Sequence, residues 1–172
     1  MGVPQIITKV QGVHSCKPDS GNKPLVLLTG GEPLAQPGAV QLLSGLDAAG
    51  YQPLLETSGS EPIDVVPAEV HILMDIKCPD SKMSEHNLWG NLDHLKQTDE
   101  IKFVVASKND FIWAHEHCLE KGLYQKHAVL FSPAWGLVKE PDLSSWILES
   151  GCSARLNLQQ HKYIWGPRKK GV

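Results

Sequence analysis

Short apolar runs recur along this chain, each stopped by a polar residue, glycine or proline, and segments with helical spacing lie between them. The runs are Leu25 to Leu28, Gln52 to Glu56, His71 to Ile76, Ile101 to Ala106, His127 to Phe131 and Ala154 to Leu158. Their length and content fit strands. Helical spacing marks Pro4 to Val13, Pro37 to Ala49, Asp110 to Lys121 and Pro141 to Ser150. The last three stop at Gly50, Gly122 and Gly151, as helices with a glycine C-cap do. Within Pro37 to Ala49, Val40, Leu43 and Leu46 share a face. Lys82 to Gln97 is a weaker helical segment that Gly90 interrupts. Strands alternating with helices imply right-handed crossovers and a mostly parallel α/β sheet. The unbroken run at Leu25 reads as a strand buried on both faces.

A chain of 172 residues with 41% hydrophobic content suits one globular domain over its whole length, 1–172. A formal net charge of -3 supplies no basic field for a phosphate backbone, so no direct nucleic-acid partner is expected, and Arg168 to Lys170 reads as a solvated tail. No apolar run has the length of a membrane span, and Met1 to Val10 lacks the apolar core of a signal peptide. The chain reads as cytoplasmic. Cys16, Cys78, Cys118 and Cys152 are too far apart to form a paired ligand motif in one loop and read as isolated core thiols. His115 and His117, two apart on a helix, point to different faces and read as surface residues without a shared metal.

On parallel sheets ligands sit at the carboxyl ends of the strands. The unusual residues fall there. Gly30, Gly31 and Glu32 follow the first run; Glu56, Thr57, Ser58 and Gly59 end the second; Asp75, Lys77 and Pro79 close the third; Ser132, Pro133 and Trp135 follow the fifth. Gly30 and Gly31 leave room for a ligand to approach the backbone, Glu32 offers an acceptor for a cationic group, and Pro33 fixes the turn. A plain strand-to-helix turn would use the same glycines. One shared site would explain four marked strand ends together, although loops are polar in general.

A second cluster runs from Arg155 to Trp165. Arg155, Asn157 and Gln159 alternate with Leu156 and Leu158, and His161 and Lys162 extend the polar row. It reads either as an edge strand with a solvated face or as a wall of a pocket for an anionic, heteroatom-rich ligand.

Together Thr29-Gly30-Gly31-Glu32-Pro33-Leu34, Glu56-Thr57-Ser58-Gly59, Asp75-Ile76-Lys77-Cys78-Pro79, Lys102-Phe103-Val104-Val105, Phe131-Ser132-Pro133 and Arg155 to Trp165 resemble the 7-carboxy-7-deazaguanine synthase family of radical S-adenosylmethionine enzymes. The resemblance runs through to Gly171-Val172. Gly-Gly-Glu-Pro marks the superfamily at large, whereas Glu-Thr-Ser-Gly and the Gln-x-His-Lys-Tyr ending narrow it. The resemblance implies a partial (β/α) barrel of the radical S-adenosylmethionine type. It also implies a carbon–nitrogen lyase of queuosine biosynthesis that contracts 6-carboxy-5,6,7,8-tetrahydropterin to 7-carboxy-7-deazaguanine with loss of ammonia. Implied cofactors are S-adenosylmethionine, a 4Fe-4S cluster and magnesium; implied partners are the pterin substrate, a flavodoxin- or ferredoxin-type reductant and a second copy in a homodimer.

Carried over by position, Gly30, Gly31, Glu32 and Pro33 would receive the methionyl ammonium. Glu56, Thr57 and Ser58 would line the methionyl and ribose side, with Lys77, Cys78 and Pro79 nearby. Thr29, Gln159, His161 and Lys162 would face the substrate. The family's CxxxCxxC loop, and the Thr after it that helps bind magnesium, are not found, and Cys16 stands alone between the first helix and the first strand. The resemblance therefore implies a chain shortened at its N-terminus, with first strand and cluster loop missing, inactive alone. Two alternatives stand beside it: another radical S-adenosylmethionine enzyme, such as a glycyl-radical activase, and a non-catalytic remnant that binds S-adenosylmethionine or pterin.

Overall fold

All six apolar runs fold as strands. A computed structural model describes residues 1–13 and 23–169. In chain order its main elements are α1 (Val3–Val13), β1 (Leu25–Leu28), α2 (Ala39–Ala48), β2 (Gln52–Thr57), β3 (His71–Lys77), β4 (Glu100–Val105), α3 (Lys108–Glu120), α4 (Leu123–Lys126), β5 (Ala128–Pro133), α5 (Glu140–Ser150), β6 (Ala154–Leu156) and α6 (Gln160–Trp165). The strands form a six-stranded sheet in the order β1-β2-β3-β4-β5-β6, open at β1 and β6. By their contacts the residues divide into two units, Met1–Met74 with Leu88–Asp99, and Asp75–Asn87 with Glu100–Val172.

In the first unit β1 lies parallel to β2 with Leu28 opposite Leu55, and β2 lies parallel to β3 with Thr57 opposite Met74. Leu42, Leu46 and Tyr51 form a core cluster against which Val3, Ile6, Ile7, Val10, Val26 and Leu28 pack. Helix α2 turns Ala39, Leu42, Leu43 and Leu46 inward, one residue per turn or slightly more, as a core-facing helix must. Gly50 follows at φ 88°, the left-handed turn its lack of a side chain permits. Strand β1 departs from the sequence reading. Leu25 is 71% and Leu27 51% exposed, because side chains alternate along β1 and only the face carrying Val26 and Leu28 packs on the core.

The second unit is built on phenylalanines. Strands β4, β5 and β6 run parallel, with Phe103 opposite Phe131 and Phe131 opposite Leu156. The rings of Phe103 and Phe131 stack with centroids 5.6 Å apart, and Phe111 of α3 tilts onto Phe131 at 5.0 Å. Ser107 caps α3 by accepting the Asp110 backbone N–H at 3.2 Å.

Other expectations are corrected as well. No α-helix covers Lys82 to Gln97; the 79–94 stretch is three 3-10 turns, Pro79–Ser81, Ser84–His86 and Trp89–His94. Lys82 closes the first in a left-handed conformation (φ 59°, ψ 20°), which interrupts any helix there. The alternation predicted to run from Arg155 through Lys162 stops at Leu156, and α6 follows, so His161 and Lys162 lie on a helix and do not extend the strand. His115 and His117 are half-buried, not surface residues. Cys78 and Cys118 are buried thiols as expected, Cys152 is half-buried, and Cys16, Lys170, Gly171 and Val172 lie outside the described residues.

Candidate functional site

Within the first unit, β1 and β2 end side by side, and the residues after them interlock through one carboxylate. Glu32 accepts the Leu34 N–H on Oε1 at 3.0 Å, which caps the turn Pro33–Ala35. It takes the Thr57 hydroxyl at 2.9 Å from either oxygen, and on Oε2 the Ser58 N–H at 2.8 Å and the Ser58 hydroxyl at 2.5 Å. Thr57 is buried, and its oxygen in turn accepts the Gly59 N–H at 3.1 Å. Thr29 Oγ1 donates to Glu56 Oε2 at 3.1 Å. Thr29, Gly30, Gly31, Glu32, Pro33, Glu56, Thr57 and Ser58 are thus brought together at one end of two paired strands.

A cavity of about 500 Å³ lies over this turn, floored by residues 29–33 and walled by Val3, Ile6 and Leu42. A Cβ added at Gly30 or Gly31 would meet nothing within 4 Å. Packing inside the protein therefore requires glycine at neither position; Gly30 sits at φ 157°, a conformation that side chains rarely adopt, and at Gly31 the absence of a side chain leaves the space above the backbone open. That is the shape a small ligand needs.

Asn91 holds the segment behind this corner, and the sequence reading missed it. It is 4% exposed, accepts the Ile63 N–H at 3.2 Å, and donates to the carbonyls of Gly59 at 3.1 Å and Glu61 at 2.9 Å. An asparagine in a polar stretch gives no sequence signal of such a role.

In the second unit, the end of β3 carries a buried ionic group. Asp75 is 9% exposed; its Oδ2 is 3.0 Å from Lys77 Nζ and 3.6 Å from Lys102 Nζ, while its Oδ1 has no hydrogen-bond partner. Asn87 grips the backbone of Lys77 twice, at 2.9 Å from its N–H and 2.9 Å from its carbonyl. Cys78 points into the core, so at this strand end only its backbone is available, whereas Pro79 is exposed. Asp110 receives the N–H groups of Asp80 and Ala106, each at 3.0 Å. Farther along, Ser132 accepts the Asn157 side-chain amide at 3.0 Å. Gln159 is half-buried with its carbonyl oxygen unpartnered, and His161 is exposed. Lys162 stands over the Trp135 ring at 5.7 Å, and Tyr163 bonds Glu140.

The thiols do not suit an iron–sulfur cluster. Burial, reinforced by the negative charges of Asp110 and Asp75, pushes the Cys78 thiol far above its ordinary value. Burial pushes Cys118 up to about 12. Cluster ligation needs thiolates. Among the described residues no group of three or more His, Cys, Asp or Glu side chains could hold a metal ion. Nor, among them, is any helix long and apolar enough to cross a membrane.

No known family's sequence profile matches the chain. Among solved structures, the chain superposes on QueE from Escherichia coli with a TM-score of 0.65 at 17% identity, covering 92% of this chain and 64% of that one. Streptococcus suis SuiB bound to its precursor peptide SuiA gives a TM-score of 0.56 at 9% identity, over 91% of this chain and 42% of that one. An open parallel α/β sheet of this kind, with a Gly-Gly-Glu turn after its first strand, is a partial barrel of the radical S-adenosylmethionine type. Curated relatives narrow the class. The 7-carboxy-7-deazaguanine synthase of Koribacter versatilis is 42% identical over 162 residues, 86% of this chain and 72% of the relative. That of Chlorobaculum tepidum is 40% identical over 152 residues, 87% of this chain and 69% of the relative. The chain belongs to the 7-carboxy-7-deazaguanine synthase family.

Proposed function

We propose that the protein is a 7-carboxy-7-deazaguanine synthase, in which this chain serves as a single domain and converts 6-carboxy-5,6,7,8-tetrahydropterin to 7-carboxy-7-deazaguanine with loss of ammonia. The observation that carries this reading is the open Gly30-Gly31 turn, tied through Glu32 to Thr57 and Ser58. It supports a site for the amino-acid end of a small cofactor. When bound, S-adenosylmethionine supplies the hydrogen-abstracting 5′-deoxyadenosyl radical of this enzyme class. The turn at residues 30–33 would take its methionyl end, with Glu56, Thr57 and Ser58 beside it, and Lys77, Cys78 and Pro79 are proposed as further cofactor-binding residues. Thr29, Gln159, His161 and Lys162 would face the pterin. The part these residues play is to orient the reactants and keep water away from them. A flavodoxin- or ferredoxin-type reductant, a homodimer and a cytoplasmic location complete the proposal.

A second reading is favoured by the thiols. Cys78 and Cys118 are buried, burial pushes both thiols above their ordinary value, and no CxxxCxxC run occurs in the sequence. The 172-residue polypeptide by itself would then bind ligands without turnover. Anaerobic reconstitution with iron and sulfide, followed by S-adenosylmethionine, dithionite and the carboxytetrahydropterin, tests both. Appearance of a four-iron absorption band and deoxyadenosine from this polypeptide alone would sink the second reading. If the protein supplied with a cluster loop in frame gave no 7-carboxy-7-deazaguanine, the first would fail.

A further inference from the structure

The hydrogen-bond directions around Glu32 determine what that carboxylate can do. A carboxylate offers about four acceptor positions. Four donors already use them: the N–H groups of Leu34 and Ser58 and the hydroxyls of Thr57 and Ser58. The hydroxyl protons are committed in turn. Thr57 must give its proton to Glu32, because a carboxylate only accepts, while a lone pair of the Thr57 oxygen takes the Gly59 N–H. Ser58 does the same, so Ser60, 3.0 Å from Ser58 Oγ, is the donor in that pair. Two short chains of hydrogen bonds, Gly59 to Thr57 to Glu32 and Ser60 to Ser58 to Glu32, converge on one side chain. They join residues 25 and 26 positions apart.

A ligand ammonium reaching Glu32 would have to displace one of these donors. Ser58 N–H and Leu34 N–H are half-buried backbone groups that donate to Glu32, so displacing either gives up a charge-assisted hydrogen bond. We infer that Glu32 is a positioning residue: it fixes the Gly30-Gly31 turn against the Thr57 and Ser58 corner, and its carboxylate does not itself receive the cationic group of the cofactor. This inference rests on the cofactor reading proposed above and refines it.

The test uses the full chain and the variants Glu32→Gln, Thr57→Val and Ser58→Ala, with Glu32→Gln combined with each of the other two. The first measurement is amide hydrogen exchange without ligand. Glu32→Gln should speed exchange at Ser58 or Leu34 by about tenfold or more, the loss of one charge-assisted hydrogen bond. The second is calorimetric titration with S-adenosylmethionine. Each single variant should weaken binding, and the doubles should bind no more weakly than Glu32→Gln alone, since all act on one knot. A purely structural role without consequence for the site would leave the affinity of the folded variants unchanged and would overturn the inference. So would unchanged exchange together with losses that add, the pattern of direct contact by Glu32. Should the wild-type chain take up no S-adenosylmethionine, the cofactor reading fails, and the exchange rates decide the knot independently. Thr57→Val and Ser58→Ala approach the knot from the other strand, so an unfolded Glu32→Gln would still leave both measurements decisive.

Discussion

Asn91→Ala removes a side chain that makes three hydrogen bonds, two of them buried and one half-buried, none to a residue assigned to ligands. The substitution leaves the Ile63 N–H and the carbonyls of Gly59 and Glu61 without their partner. At roughly 1 kcal/mol or somewhat more for each stranded group, the loss should total about 2–4 kcal/mol. For a chain of this size that is a fall of about 5–15 °C in melting temperature. Urea unfolding followed by circular dichroism measures it, and the slope of free energy against urea should match the wild type. Asn91→Asp sharpens the reasoning. It keeps the acceptor for Ile63 but sets a carboxylate against two carbonyl oxygens, so at neutral pH it should be worse than Asn91→Ala. The introduced carboxyl would have its pKa raised on folding, so the protonated form is the one the fold favours. Relative to wild type, the aspartate variant should therefore recover as pH falls from neutral toward about 4, the ordinary carboxyl value, and gain nothing further below it. An Asn91→Ala variant within about 0.5 kcal/mol of wild type would refute the reasoning and mean that the 59–63 segment is held by something else.

Other expectations follow from the second unit and its thiols. Phe131→Ala should cost about 3–5 kcal/mol in urea unfolding, because the ring is fully buried between Phe103 and Phe111. Cys78 and Cys118 should resist iodoacetamide in the native protein at pH 8 and react on unfolding, as counted by mass spectrometry. Both thiols are held protonated on folding, Cys118 up to about 12 from an ordinary 9.0. Their contribution to stability is complete below pH 9 and is lost as pH rises toward 12. In that window each thiol contributes a slope of up to about 1.4 kcal/mol per pH unit.

The positions of the strands were legible because their apolar runs are bounded by breakers, and α2 because its apolar spacing ends at Gly50. What escaped depended on partners far away in sequence. Nothing in Leu25 to Leu28 says that only the face of Val26 and Leu28 would be covered, so the exposure of Leu25 and Leu27 could not be read from composition. Glu32 was legible as an acceptor, but its donors Thr57 and Ser58 lie in another strand end, and with them goes the difference between a ligand contact and a knot. Asn87, Asn91 and Asp110 support loops through backbone groups, which carry no sequence identity. The C-terminal row read as a strand because its polar and apolar residues alternate in sequence, but β6 reaches only to Leu156; α6 then forms on a segment whose Tyr163 and Lys162 dock on Glu140 and Trp135.

The central claim is that the open turn at Gly30 and Gly31 is a cofactor seat, and Gly31→Val tests it most directly. A Cβ at Gly31 meets no protein atom within 4 Å and the backbone there is not left-handed, so the variant should fold and unfold at a urea concentration close to that of wild type. In calorimetric titration with S-adenosylmethionine, the wild type should bind one equivalent and Gly31→Val none. Equal binding by the two proteins, or none by the wild type, would contradict the account.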